Sequence, residues 1–222
     1  IHTDLDADVF GFLIWPRLNA AWRMDTPYKA LNLILNNSDS LQETIDEIEY
    51  LNERRKILTK DFVAEALDFV NPENNIIFFE SSEIEHWIIG IIAGRLTENF
   101  YKPSIVLKEE TDKYVASCRS PEYFSIVDLL EEFKDEFIAF GWHKQAAGFS
   151  IKKEKFEDFK KKVLSKVNSL DFGAYKKTII VDKIIEPIDI SFKLLDKINK
   201  FKPFWIWNKK PLLMIKDFEF DK

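Results

Sequence analysis

The chain has 222 residues, 46% of them hydrophobic, and a formal charge of −6 at neutral pH. That length buries a real core in one large domain or two small ones, and the acidic balance excludes a uniformly basic nucleic-acid coat. Any nucleic-acid contact must come from local clusters such as Lys152, Lys153, Lys155, Lys160, Lys161 and Lys162, for which the solvated face of a helix is the plain alternative. The single cysteine, Cys118, allows no internal disulfide and suits a reducing, cytoplasmic setting. Apolar runs such as WIIGII fall far short of the roughly 18 residues of a spanning helix, and the acidic start IHTDLDAD is unlike a signal peptide, so no membrane is expected among the partners. The chain begins with Ile and ends in the strand-like FEFDK, which suggests a piece of a longer protein.

Taken in order, residues 1–25 read as a short extended segment and then a loop, IWPRLNAAWRM, broken by Pro16. Asp4, Asp6 and Asp8 alternate, but without a nearby His or a preceding strand they fit a solvated turn better than a metal site. From Leu41 to Phe69, apolar residues recur at helical spacing, with Ser38 or Ser40 available as a cap and Asn71-Pro72 as the stop. A helix this long suggests a strut between domains.

After Pro72 the pattern changes to strands alternating with helices. NNIIFFE, PSIVLKE, KYVASCRS and GFSI read as strands, while HWIIGIIAGRLTENF, FSIVDLLEEF and KEKFEDFKKKVLSKV read as helices, giving an α/β domain of about a hundred residues. Gly90 and Gly94, four apart, suit close helix packing. Between the last helix–strand pair lies FGWHKQAAG, with no apolar period, where Gly141 and Gly148 flank His143 and Lys144. Such a segment lets backbone and cations approach an anion, or it is simply a polar turn between a helix and a strand. Ser117, Arg119 and Ser120 at a strand end bring a guanidinium and two hydroxyls together, which suits a backbone phosphate; a surface ion pair with a Glu is the alternative for Arg119. Residues 172–222, with KKTIIVDKII, a short helix, KPFWIWNKKP and LLMIKDFEF, read as the opening of a small β-barrel.

The order of these motifs resembles one family. PRLNAAWRM, with Arg17, Asn19 and Arg23, the LNERR helix, IIGIIAGRLTENFYKPSIVL, ASCRS, FGWHKQAAG, and KPFWIWNKKP, with Asn208, are similar to the C-terminal part of the RecJ exonucleases of the DHH/DHHA1 phosphoesterase superfamily. The resemblance implies the end of a DHH catalytic domain at 1–37, a connecting helix at 38–71, a DHHA1 nucleic-acid-binding α/β domain at 72–170, and the start of an OB-like barrel at 171–222. It implies a role in 5′-to-3′ degradation of single-stranded DNA during repair and recombination, with Ser117, Arg119, Ser120, Gly141, His143, Lys144 and Gly148 facing the strand. Arg17, Asn19, Arg23 and Asn208 would belong to structural loops. A single-strand-binding protein and repair helicases are the protein partners implied. Family members hydrolyse phosphodiesters with manganese or magnesium held by a DHH domain. Here only His2, His86 and His143 occur and no Asp-His-His triplet does, so the metal and the catalytic residues are expected outside this chain, and this piece alone is expected to be inactive. Two other readings stand beside this one: a phosphodiesterase acting on short oligonucleotides or cyclic dinucleotides, and a non-catalytic replisome scaffold.

The resemblance also implies glycine at Trp15, Trp22, Trp87, Trp142, Trp205 and Trp207, which are all the tryptophans of the chain. Glycine itself numbers 6, against roughly 15 at average composition. Codons UGA, read as glycine in the source organism and translated here as tryptophan, account for both observations. Glycine at all six positions would double the glycine count.

Overall fold

The computed structural model describes residues 6–35, 40–71, 73–143, 145–173, 175–205 and 207–216. The chain forms two units, Ala21–Lys177 and a second made of Ile1–Ala20 with Thr178–Lys222.

The larger unit is an α/β sandwich around a five-stranded sheet ordered β1-β2-β3-β5-β4. β1 (Ile77–Ser81) runs parallel to β2 (Ser104–Glu109), and α4 (His86–Phe100) makes the crossover between them. β3 (Lys113–Arg119), β5 (Ala146–Lys152) and β4 (Phe137–His143) then add in antiparallel fashion. Alternation along each strand divides the apolar residues between two cores. Ile105, Leu107, Ala116, Cys118, Phe149 and Ile151 face α5 (Ile126–Glu131) and α6 (Lys153–Asn168). Ile77, Phe79 and Val106 face α4 and Ala66 of α3 (Leu41–Phe69). Ser104 to Leu107 are all buried, as a strand covered on both faces requires.

The helical periods of α3, α4 and α6 are realised over the expected residues. Ser40 takes the N-cap position of α3 without a side-chain capping bond. α5 is shorter than FSIVDLLEEF suggests, because the Phe133 N–H turns back to Leu130 O at 3.0 Å and a 3₁₀ turn, Lys134–Glu136, follows. Its start is capped by Ser125, whose Oγ accepts from the Asp128 N–H at 3.2 Å.

Two sequence expectations are corrected. The loop expected at IWPRLNAAWRM is helical: a π-type turn, Val9–Ile14, leads into α1 (Trp15–Met24), with α2 (Pro27–Leu35) next. Pro16 does not break it, because the wider π-type register ahead of it closes on Trp15, whose N–H reaches Phe10 O, and relieves the preceding turn where a proline would otherwise clash. FGWHKQAAG is not a helix-to-strand loop but most of a β-hairpin, with Phe140 opposite Phe149, Gly141 opposite Gly148 and His143 opposite Ala146. Its apolar period is hidden by a register shift between Phe137 and Ala139, which turns both Phe137 and Phe140 towards the core although they are three apart.

In the smaller unit, β6 (Lys183–Ile184) pairs parallel with β7 (Leu213–Met214), and α7 (Phe192–Asn199) is capped by Ser191, whose Oγ accepts from the Leu194 N–H at 3.3 Å. Among the described residues these are the only strands of that unit, so the longer strands expected for a barrel opening are not seen there; residues 217–222 lie outside the described residues. Asn208 holds the turn before β7, donating from Nδ2 to Phe201 O at 2.7 Å and Pro203 O at 2.9 Å. Asp6 accepts the Val9 N–H at 3.0 Å and pairs with Lys202 at 3.0 Å, and both hold its carboxyl below the usual range, the Val9 bond most.

Phe159 is fully buried, with ring centroids 5.3 to 5.4 Å from Phe133, Phe137 and Phe149. Phe159→Ala should cost about 3–5 kcal/mol of unfolding free energy in denaturant titration, since it empties the space that fixes α6 and the β4–β5 hairpin together.

Candidate nucleic-acid interface

The site is built on the strand alternation of β3. Cys118 points into the α6 core and is fully buried, with burial pushing its thiol far above its ordinary pKa, so it is an inert packing group. Its neighbours Ser117 and Arg119 therefore point the other way, towards α4. Gly90 of α4 lets them fit: a Cβ there would lie 3.2 Å from Ser117 Oγ and 3.3 Å from Arg119 Nη2. Gly94, one turn on, has nothing within 4 Å of its Cβ position and borders the groove. The sequence reading of these two glycines as helix-packing residues is thus right only for Gly90, which packs on β3.

Arg119 lies half-buried at the floor of a groove of about 540 Å³ that is also bordered by Thr97, Tyr101, Ser120, His143 and Gln145. Its Nη1 donates to Cys118 O at 2.8 Å and to Ser117 Oγ at 3.3 Å. Among the described residues no carboxylate pairs with it, which removes the surface ion pair as its explanation. Burial lowers its pKa from the ordinary guanidinium value, and the nearby Arg23 lowers it further, yet a guanidinium remains charged. The groove floor is therefore a desolvated cation with unused donors, which is the chemistry that receives a phosphate oxygen.

The other expected residues fall as follows. His143 ends β4, exposed, at the groove's rim. Gly141 and Gly148 are cross-strand partners inside the hairpin rather than a cradle; Gly148 also pairs with Ser117, and a Cβ on it would lie 3.3 Å from Ala116 O. Ser120 is buried and structurally engaged: its Oγ accepts from the Ile126 N–H at 3.4 Å, and its own N–H donates to Gln145 O at 3.2 Å. Lys144 lies outside the described residues. Arg17 and Asn19 sit on α1, with Arg17 Nη1 donating to Leu13 O at 2.7 Å. Arg23, in the last turn of α1, is more than a loop residue: it donates to Trp87 O at 3.1 Å and its charge is felt at Arg119 and Arg55. Thr97, Tyr101 and Gln145 were not singled out in the sequence. Tyr101 is the one legible among them after the fact, as the left-handed residue closing α4 at φ 52°, held through its carbonyl by the Tyr123 hydroxyl at 2.6 Å.

The lysine-rich run of α6 resolves differently. Lys153 pairs with Glu109 at 2.6 Å, Lys160 with Glu80 at 2.6 Å, and Lys162 with Asp158 at 2.6 Å and Glu136 at 3.1 Å. These cations are spoken for by acids of the same domain.

Residues 73–169 match the DHHA1 domain family. The chain is 28% identical over 222 residues to the single-stranded-DNA-specific exonuclease RecJ of Bacillus subtilis, covering 96% of this chain and 28% of that protein. The crystal structure of Thermus thermophilus RecJ with Mg²⁺ superposes with a TM-score of 0.82 at 26% identity, over 94% of this chain and 33% of that one. The same protein with Mn²⁺ gives 0.83 at 25% identity, over 95% and 32%. The chain carries a DHHA1 domain and resembles RecJ. It spans about a third of the length of these RecJ proteins.

Within this RecJ-like chain five of the six tryptophans are poorly accommodated. Trp15, Trp22, Trp142, Trp205 and Trp207 are 59–85% exposed, and Trp87 only borders the α4 core. Indole is ordinarily well buried, so none of the five is placed as a packing residue would be.

Gly90 supplies a direct test of the groove. Gly90→Ala should leave the midpoint of thermal unfolding unchanged or raise it, since alanine gains up to about 1 kcal/mol in a helix. Displacing Arg119 by a few tenths of an ångström should nonetheless weaken binding of single-stranded DNA, the ligand named for the relatives, by roughly three- to tenfold in fluorescence anisotropy. Unchanged affinity would mean that Arg119 does not depend on this contact.

Proposed function

We propose that this chain is the strand-holding part of a RecJ-like exonuclease, and that its Arg119 groove takes a backbone phosphate of single-stranded DNA. The observation that carries the reading is a half-buried guanidinium without a carboxylate partner, open to a groove in a DHHA1 domain. Thr97 and Gln145 offer neutral hydrogen-bonding groups beside it, and His143 stands at the end of β4 in the β4–β5 hairpin that closes one side. On this reading residues 1–37 belong to a DHH domain, 38–71 connect, 72–170 bind the strand, and 171–222 open an OB-like domain.

Hydrolysis belongs to the intact polypeptide. Among the described residues no group of three or more His, Cys, Asp or Glu could hold a metal ion. The magnesium or manganese bound by the similar RecJ structures would sit on parts of the protein outside this chain, which would be inactive alone. Cytoplasmic location, repair and recombination, and contact with a single-strand-binding protein or helicases are part of the same proposal; no helix among the described residues is long and apolar enough to cross a membrane.

The six tryptophans belong to the proposal as glycine codons. The exposure of five of them supports this. Sequencing the gene should show UGA at all six positions, whereas UGG would end the idea.

Arg119→Ala and Lys144→Ala should each weaken binding of a single-stranded oligonucleotide and lower the slope of log affinity against log salt by about 0.7, the change for one phosphate contact on a single strand. Titration at several salt concentrations reads this directly. Equal slopes and affinities would return Arg119 to a structural role.

A further inference from the structure

A second cationic pocket lies on an adjacent face of α4. It has a volume of about 420 Å³ and is bordered by Arg55, Lys56, Thr59 and Lys60 of α3 and by Ile91 and Arg95 of α4. No acidic residue borders it. Lys56 pairs with Glu53 at 2.6 Å and Arg95 with Glu98 at 3.3 Å, but both are exposed i,i+3 pairs of the kind that holds its partners weakly.

Arg55 is the telling residue. Among the described residues it makes no ion pair, and its Nη2 donates only to Asn52 Oδ1 at 3.1 Å. Its Nε is buried with no hydrogen-bond partner, as is Nδ2 of the fully buried Asn52. Leaving a guanidinium donor buried and unmet is costly. Burial first, then the neighbouring Arg23, lowers the Arg55 pKa; Glu53 opposes this and Arg95 adds to it. A chain that is acidic overall, and that pairs Lys153, Lys160 and Lys162 of α6 with acids of its own domain, leaves Arg55 without a carboxylate partner among the described residues.

The two pockets share α4. Ile91 and Arg95 face the pocket on α3, while Gly94, Thr97 and Glu98 face the Arg119 groove, so adjacent faces of a single helix border both. The geometry points to a second phosphate subsite at Arg55, Lys60 and Arg95, which takes the backbone of a single-stranded DNA that crosses α4 from the Arg119 groove. The inference rests on the reading of that groove as a strand site and extends it in a direction the FGWHKQAAG hairpin does not indicate. Arg55 fixes the anion from below, Lys60 and Arg95 close on it from the two helices, and Thr59, whose hydroxyl donates to Arg55 O at 2.7 Å, keeps the α3 turn in place.

The test uses the exposed pair, because Arg55→Ala removes a half-buried group and could disturb the helix packing. Lys60→Ala/Arg95→Ala should keep its thermal unfolding midpoint, bind an oligothymidylate of about 20 nucleotides roughly tenfold more weakly, and lower the salt slope by about 1.4, the value for two contacts. Binding of a strand of about four nucleotides, long enough for one site only, should change little, whereas Arg119→Ala should weaken both lengths. The remote double variant Lys134→Ala/Lys161→Ala serves as the charge-matched control and should bind as the unaltered chain does. Affinity and slope unchanged in Lys60→Ala/Arg95→Ala, or reduced equally for both lengths or by the control, would overturn the subsite while leaving the Arg119 groove standing. No binding of either oligonucleotide by the unaltered chain would remove both.

Discussion

The burial of Arg119 against α4 is the interaction on which the interface depends. A guanidinium so placed has to be bonded to something, and among the described residues the protein supplies only Cys118 O and Ser117 Oγ from its own strand. What holds it there is apolar: Cys118 anchors the strand on one face, and its alternation forces the neighbours onto the other. Gly90 then removes the one Cβ that would push the guanidinium out. The polar site is thus a consequence of two hydrophobic cores packed on opposite faces of one sheet. A change in either core would reach the groove through β3.

Local periodicity made much of this scaffold legible. α3, α4 and α6 have long apolar stripes that only a helix can bury on one side, and β2 is an apolar run bounded by Pro103 and polar residues. Legibility failed where a local signal was overruled. Pro16 reads as a breaker, yet the π-type turn ahead of it accommodates it within a continuous helical run. The β4 strand shows no alternation because a register shift moves its two phenylalanines out of phase, and the remainder of the strand lies at a sheet edge with its side chains in water. There, pairing with β5 through the backbone decides the conformation, and backbone pairing leaves no mark in side-chain chemistry.

The site was legible in its central residue and less so in its boundaries. ASCRS announces a cation beside hydroxyls, but nothing local says that Ser120 is buried under α5 or that Gly141 and Gly148 face each other across a hairpin. Thr97, Tyr101 and Gln145 come to the groove from α4, from the residue that ends it and from the hairpin turn, so only the tertiary arrangement assembles them. Arg23 reads as one member of a motif, and its significance appears only through its proximity to two other arginines.

Charge in this chain distinguishes a run from a site. The densest basic stretch, on α6, is matched by Glu80, Glu109, Glu132 and Glu136 from neighbouring elements, and so contributes little field beyond its own surface. Arg55 and Arg119 beside α4 have no carboxylate partner among the described residues, and both are partly withdrawn from water, where their attraction for an anion is less screened. Partial burial without a counter-charge is unfavourable in the free protein, and an incoming phosphate relieves it. An acidic protein can therefore present a nucleic-acid surface by leaving two half-buried arginines without carboxylate partners while pairing much of its densest basic run.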